Sequence, residues 1–590
     1  MSTANLVTDQ QLLEQEYDTT VRADIEQFRT RAHEWIDKKI TDDQFRAQRL
    51  RRGIYGQRQE GVQMIRTKLP GGTLTADQMR QLAAVADAVA GGKGHLTTRQ
   101  NMQYHFVPLL KVADALHMLA DVRLTTREAC YNTVRNVTAC PLAGLLPEEP
   151  FDVRPYARKL ALAFLHKELT DAMPRKFKVA FSGGEVDTVA TVINDVGLRA
   201  IQKDGVNGFR MTIAGGLGPL PTEGRVLHEF LPADDVVRRV EAVIRVFNTH
   251  GNRNNKDKAR LKFILRERGF EWLRDAIEEQ YQDILKNGGI PMPESVPENF
   301  GGFQAKPAKP GSGEFLPIYD PTPEFAEWRR TNVRDQKQSG YVIVTVMVPQ
   351  GNLTGDQMRG LAKLSEDAGE GVLRVSMSQN VMLAYVPVGA LPRVFGVLKN
   401  LGLANDRADE ISDVVTCPGA YSCNLALTKS MGLGDALAHS VRKYDDPSVR
   451  DLKIRISGCP NSCGQHWIGD LGFYGNARKI QNDDKTETRE VPYYMMMLGG
   501  TEEEFALSVQ SMPARLIPIA VDRVLKHYTE NRENGEKFRD YVKRNKVETF
   551  KKMLADLGVK PSFDGPAEVF LDWGDTEKFS LQLGRGECAA

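Results

Sequence analysis

The chain has 590 residues, 41% of them hydrophobic, which is ample for packed cores and excludes wholesale disorder. Its 78 Lys+Arg stand against 77 Asp+Glu, a net charge of +1, which excludes a chain-wide electrostatic case for nucleic acid or anionic membrane. There is no run of about 18 apolar residues, and the polar start, MSTANLVTDQQLLEQEYD, lacks the basic-then-apolar order of a secretory signal. Seven cysteines, four of them within residues 417–463, are too few and too uneven for a disulfide scaffold. The expectation is a cytoplasmic, monomeric protein that uses cysteine for metal or redox chemistry.

Residues 1–50 read as a charged helical extension that packs or docks. From there the chain repeats itself. Residues 69–80 (LPGGTLTADQMR) return as 348–359 (VPQGNLTGDQMR), an offset of 279. The same offset pairs Arg99-Gln100-Asn101 with Ser378-Gln379-Asn380, and Phe106-Val107-Pro108 with Tyr385-Val386-Pro387. In each copy a β-rich run (Val62–Leu69, Tyr341–Val348) precedes a threonine, Thr75 or Thr354, with glutamine three residues on. That is the capping-box spacing that opens a helix. Strands around 103–107 and 382–386 follow, then helices at 111–119 and 391–401. Two strands per unit predict that the copies pair into one composite sheet. A second matched region runs at an offset of 275: Lys178-Val179-Ala180-Phe181-Ser182-Gly183 corresponds to Lys453-Ile454-Arg455-Ile456-Ser457-Gly458. Between the halves, 289–323 is rich in Pro, Gly and Ser and reads as a surface linker.

In the second half, Cys417 and Cys423 form C-x5-C, and Cys459 and Cys463 form C-x3-C inside SGCPNSCG. Four thiolates can ligate zinc or an iron–sulfur cluster. The wide first pair suits a zinc knuckle poorly, and the flanking Gly and Pro let backbone N–H groups turn toward sulfur, which favours a charged cluster. Zinc and unligated cysteines remain open from spacing alone.

These motifs resemble the signature of the siroheme- and 4Fe–4S-containing sulfite and nitrite reductases, and the likeness extends over roughly residues 50–550. It implies an α+β fold with pseudo-twofold duplication, paired ferredoxin-like half-domains and two siroheme/4Fe–4S-binding domains. On this reading 51–127 and 331–405 are the half-domains, 128–288 the substrate-side domain and 406–560 the cluster-side domain; 289–330 is the linker and 561–590 a tail. Cys417, Cys423, Cys459 and Cys463 are then cluster ligands, with Cys463 also on the siroheme iron. Ile65-Arg66-Thr67-Lys68 matches the strand carrying one substrate-facing arginine, Arg66, and Thr133-Val134-Arg135-Asn136 carries a second, Arg135. Lys176 and Lys178, in Pro174-Arg175-Lys176-Phe177-Lys178, alternate onto one strand face and complete a substrate quartet. Arg99, and Arg260 and Lys262 in KDKARLK, match residues that meet siroheme carboxylates. Tyr55 and Cys130 match a tyrosine–cysteine pair joined by a thioether in some ferredoxin-dependent sulfite reductases.

The resemblance implies a sulfite reductase drawing electrons from an external donor, ferredoxin first and a separate flavoprotein second, because no G-x-G-x-x-G in a βαβ context and no flavin domain is apparent. Lysine at position 178 favours sulfite over nitrite, since plant-type nitrite reductases carry asparagine there. Nitrite reduction on the same scaffold and non-catalytic iron–sulfur electron transfer are the alternatives. His105 reads as a packed strand residue, Gly215-Gly216-Leu217-Gly218 as a turn approaching the cofactor, and Cys140 and Cys588 have no assigned role.

Overall fold

A computed structural model describes residues 9–291, 293, 322–582, 584 and 587, with side chains from Thr19 onward. Cys588 and most of the expected linker lie outside the described residues. The extension forms two helices, Asp9–Ile36 and Asp42–Arg51, and the second is opened by a Thr41–Gln44 capping box.

The repeated units build two five-stranded antiparallel sheets of identical order. One runs Ile54–Gly56, Val62–Arg66, Met102–Pro108, Lys93–Leu96, Asn352–Thr354; the other runs Val333–Asp335, Tyr341–Val346, Val381–Pro387, Val372–Val375, Thr73–Thr75. The copies therefore do not merge into one composite sheet. Each unit contributes four strands to its own sheet and lends a three-residue strand to the edge of the other. The lent strands pair Leu74 with Leu373 and Leu353 with Gly94. Both leucines are buried, each contributing roughly 1.5–3 kcal/mol. Gly94 lets the strands close up here: a Cβ would lie 2.5 Å from Met102 Sδ, so that methionine would have to shift.

Each lent strand ends at the threonine that caps the following helix. Thr75 Oγ1 accepts from Gln78 N and Thr354 Oγ1 from Gln357 N, while each glutamine Oε1 accepts in return from the threonine N–H, and these boxes open helices Ala76–Val89 and Gly355–Ala368. The two helices pack on each other, and a single hydrophobic core runs through both units, from Leu74 and Met79 to Leu361 and Leu383.

The other two domains repeat as well. Thr138–Ala139, Val179–Ser182 and Val196–Lys203 are parallel neighbours, continued antiparallel by Val206–Ile213 and Arg225–Pro232. Val415–Thr416, Ile454–Ser457, Leu471–Gln481, Thr488–Leu498 and Leu507–Pro513 do the same. The repeated Gln-Asn dipeptide joins each ferredoxin-like unit to the two-residue strand that starts one of these sheets. Gln100 Nε2 donates to Ala139 O (2.8 Å) and its Oε1 accepts from Ala139 N (2.9 Å); Gln379 Oε1 accepts from Thr416 N (3.1 Å). Ala139 and Thr416 directly precede Cys140 and Cys417, so the same clamp presents a cysteine in each half.

Candidate active site

Cys417 follows the strand Val415–Thr416, and Cys459 and Cys463 follow Ile454–Ser457. The loops between them are locked by close backbone contact. A Cβ on Gly458 would come within 2.8 Å of Gly419 Cα, and Gly419 itself has φ of 57°. The gap is closed by Leu427 N and Thr428 N, which both donate to Gly458 O. Gly458 N donates to Cys417 Sγ at 3.3 Å, a backbone N–H turned toward sulfur as the flanking glycines and prolines suggest. Burial pushes the Cys423 thiol up to about 12 and raises Cys417 and Cys459, and in all three the Cys463 sulfur adds to the rise. The four sulfurs therefore share one electrostatic environment. Yet among the described residues no three His, Cys, Asp or Glu side chains converge on a single-ion position. Four thiols brought into one environment can supply the ligands of a metal cluster.

Opposite them, Tyr55 organises the two expected substrate arginines. The Arg66 guanidinium carbon lies 5.5 Å from the centre of the Tyr55 ring, and Arg135 Nη2 donates to Tyr55 OH at 3.2 Å. Arg135 is held further by Ala129 O (3.2 Å) and Tyr131 O (3.0 Å). Arg66 faces Gln103 across the sheet; with the amide oxygen turned toward it, Gln103 accepts from Arg66 Nε at 2.8 Å and donates to His105 Nε2 at 3.2 Å. Burial holds His105 down to about 3, with the charge of Arg66 adding to the effect, so it is a neutral packed residue as expected. Tyr55 and Cys130 share one small apolar cluster with Leu50 and Met64.

Lys176 and Lys178 do not sit on the strand itself, which begins at Val179. They lie on its approach, where Phe177 is bridged in parallel to Val134, so alternation still buries Phe177 and leaves both lysines half-buried. The backbone N–H of Lys178 donates to Asp195 Oδ2 (2.8 Å), and the same carboxylate receives Arg260 (2.8 Å). Burial, then Arg99, Arg260 and Lys176, drive the Lys178 pKa well down, and the nearby Cys463 sulfur opposes them. Arg99 is held down to about 9 by burial and by Arg135, Arg260 and Arg66. Its guanidinium reaches Asn194 Oδ1 and Val179 O, each at 3.0 Å, while its buried Nε has no partner. Thr98, beside it, donates to Cys463 O at 2.9 Å, tying this segment to the cysteine loop.

Lys262 donates to Leu217 O (3.1 Å), to Gly216 O (3.5 Å) and to Leu220 O, so it braces the glycine turn. A Cβ on Gly216 would press on Arg260 Nη2 (3.1 Å) and Lys262 Cδ (3.3 Å). Asp195, Asn194, Gln103 and Thr98 are residues that sequence reasoning missed. Only the repeat held a hint, in the matched Asp195-Val196-Gly197 and Asp470-Leu471-Gly472.

Mutually repelling cations, one of them close enough to feel Cys463, beside a group of four thiols define a class: a site suited to metal and redox chemistry. Comparison with known proteins narrows this. The nitrite and sulphite reductase 4Fe–4S domain matches residues 130–285 and 407–560, and the nitrite/sulfite reductase ferredoxin-like half domain matches 55–128 and 334–401. A ferredoxin–nitrite reductase of Synechococcus elongatus is 30% identical over 432 residues, covering 71% of this chain and 77% of its own. A ferredoxin sulfite reductase of Mycobacterium tuberculosis is 26% identical over 520 residues, covering 83% of this chain and 87% of its own. The solved structure of the M. tuberculosis NirA protein superposes with a TM-score of 0.72 at 25% identity, covering 87% of this chain and 92% of that one. The chain belongs to the nitrite/sulfite reductase family, whose cofactors are siroheme and a 4Fe–4S cluster.

The residues present fit both groups. The four gathered thiols suit the cluster, and the buried, unpartnered Nε of Arg99 among repelling cations suits a carboxylate-bearing tetrapyrrole.

Proposed function

We propose that this chain reduces sulfite to hydrogen sulfide in a six-electron reaction, with ferredoxin as the electron donor. The observation that carries the reading is the setting of Lys178, where Lys176, Arg99 and Arg260 crowd one lysine that also feels Cys463. Cys417, Cys423, Cys459 and Cys463 would hold the cluster, and Cys463 would also help to hold the siroheme; Arg99, Arg260 and Lys262 would meet siroheme carboxylates. When bound, siroheme would supply a reducible iron that passes electrons to the anion singly.

The rest falls to side chains. Each cation about 4 Å from an anionic oxygen contributes roughly 4 kcal/mol at an effective dielectric near 20, before desolvation. Arg66, Arg135, Lys176 and Lys178 together draw in a doubly charged anion and hold its oxygens. The crowding of like charges around Lys178 is relieved when that anion binds. The lysines then hold protons at Nζ for the departing oxygens, a role arginine fills poorly because it scarcely deprotonates. An anion in the resting site follows from the same repulsion.

Two lysines suit an anion with three oxygens, which is the argument for sulfite. Nitrite is the second reading, supported by relatives such as the S. elongatus enzyme, which is named a ferredoxin–nitrite reductase. Turnover of both anions with reduced methyl viologen decides between them. Lys178→Asn should shift the ratio of kcat/KM values at least about tenfold toward nitrite, about 1.4 kcal/mol, and an unchanged ratio would overturn the specificity argument.

The same reading includes a Tyr55–Cys130 thioether, formed by loss of one hydrogen from the ring and one from sulfur to an oxidant such as dioxygen. Intact-protein mass spectrometry tests it through the loss of two hydrogens. A cytoplasmic, monomeric enzyme without nucleic-acid or membrane partners completes the proposal; among the described residues no helix is long and apolar enough to cross a membrane.

A further inference from the structure

One buried ion pair has no part in the chemistry above. Lys68 and Glu128 are 2% and 1% exposed, and Lys68 Nζ lies 3.3 Å from Glu128 Oε2. Lys68 stands two residues beyond Arg66, and Glu128 two residues before Cys130. Lys68 Nζ also donates to Val134 O at 3.2 Å, next to Arg135. The other carboxylate oxygen of Glu128 accepts from His166 N at 2.9 Å, so both ends of the pair are committed inside the protein.

The loop it holds is strained. Glu128 and Tyr131 have φ of 61° and 66°, in the left-handed region that L residues avoid, and such turns persist only where the surroundings over-determine them. Thr133 Oγ1 closes the loop from within, donating to Glu128 O (2.9 Å) and Cys130 O (2.7 Å). Within this loop Ala129 O and Tyr131 O receive the Arg135 guanidinium, whose Nη2 reaches Tyr55 OH. Without the loop's shape, Arg135 has neither its carbonyl cradle nor its aim.

We propose that Lys68–Glu128 is a positioning pair: it locks the Glu128–Tyr131 loop so that Cys130 meets Tyr55 and Arg135 points at the bound anion. Neither residue touches the reacting atoms. The role rests on the reading of Arg135 and Tyr55 given above and deepens it.

The test uses full-length Glu128→Gln and Lys68→Met, and the double variant Lys68→Met/Glu128→Gln, which leaves no unpaired buried charge if the single changes fail to fold. Amide exchange over residues 128–136 should accelerate at least about tenfold. The fraction of chains lacking two hydrogens should drop below about half the wild-type fraction, and KM for the anion should rise about tenfold with kcat changed much less, the pattern of lost binding. Folded variants with wild-type exchange, cross-link fraction and KM would overturn the proposal. Faster exchange with an unchanged cross-link fraction and KM would overturn it too, reducing the pair to structural support. The exchange readout needs no turnover. A wild-type protein inactive on both anions would therefore count against the assigned function and leave the test of the pair intact.

Discussion

The two domains that match at 130–285 and 407–560 share strand order and a glutamine contact, yet place different side chains at matched positions. Cys140 occupies the place of Cys417: its neighbouring strand pairs in the same register, and the Gly183 amide bonds its sulfur as Gly458 bonds that of Cys417. The remaining ligand positions hold no cysteine. At the 275 offset, Gly184 and Thr188 stand where Cys459 and Cys463 do. The aspartates differ in a similar way. Asp195 accepts from Lys178 N and pairs with Arg260, whereas Asp470 accepts from Lys453 N (2.9 Å) and burial pushes it up to about 7. One scaffold was filled with cations in one half and with sulfur in the other. Backbone geometry is therefore necessary for the site, and a few side chains decide which site it becomes.

That comparison can be broken most directly at the cysteines. Cys459→Ser should abolish iron, acid-labile sulfide and activity together, while Cys140→Ala should keep all three and cost about 1–2 kcal/mol in stability. Retained iron in the first variant, or lost iron in the second, would dissolve the distinction. Next come the matched lysines. Lys178→Ala should lower kcat/KM by about 100-fold, roughly the loss of one charged contact of 2–3 kcal/mol, whereas Lys453→Ala should leave anion kinetics within about twofold.

The aspartates give a smaller effect with a defined sign. Asp195→Asn leaves the Arg260 guanidinium buried without its carboxylate and should cost about 3 kcal/mol by chemical denaturation. Asp470 binds its proton more tightly in the folded state than in the unfolded chain. Its contribution is therefore present below about pH 4 and is lost as pH rises through about 7. Asp470→Asn removes that loss while its amide oxygen can still accept from Lys453 N, so stability from pH 4 to 7 should fall less steeply, by on the order of 3 kcal/mol. Lys453, Glu502 and Arg455 face this carboxyl, and Asp413, raised to about 7 as well, keeps its own slope. Smallest, and equal in both halves, should be the loss of a cap: Thr75→Ala and Thr354→Ala each about 1 kcal/mol by thermal or denaturant unfolding.

The parts legible in the sequence were those with local or repeated signals. Capping boxes at Thr75 and Thr354, the cysteine spacings and the 279 offset all survive as structure, because each is decided within a few residues of chain. The lent strands Thr73–Thr75 and Asn352–Thr354 were invisible: three residues carry no periodicity, and their partners lie about 300 and about 260 residues away. The pairing of Asp195 with Arg260 is hidden for the same reason, since a buried charge announces nothing about its partner. Lys176 and Lys178 were placed on a strand by their alternation, which an extended approach to a strand imitates.

The exchanged edge strands also govern how this molecule can come into being. Neither ferredoxin-like unit owns all of its sheet, so a nascent first half waits, at about 5–20 residues per second, for roughly 12–50 s before its fifth strand is synthesised. Two polypeptides cut between Asn287 and Thr322 should each remain unsettled alone and should reassemble when mixed, a self-complementing pair made from a single gene.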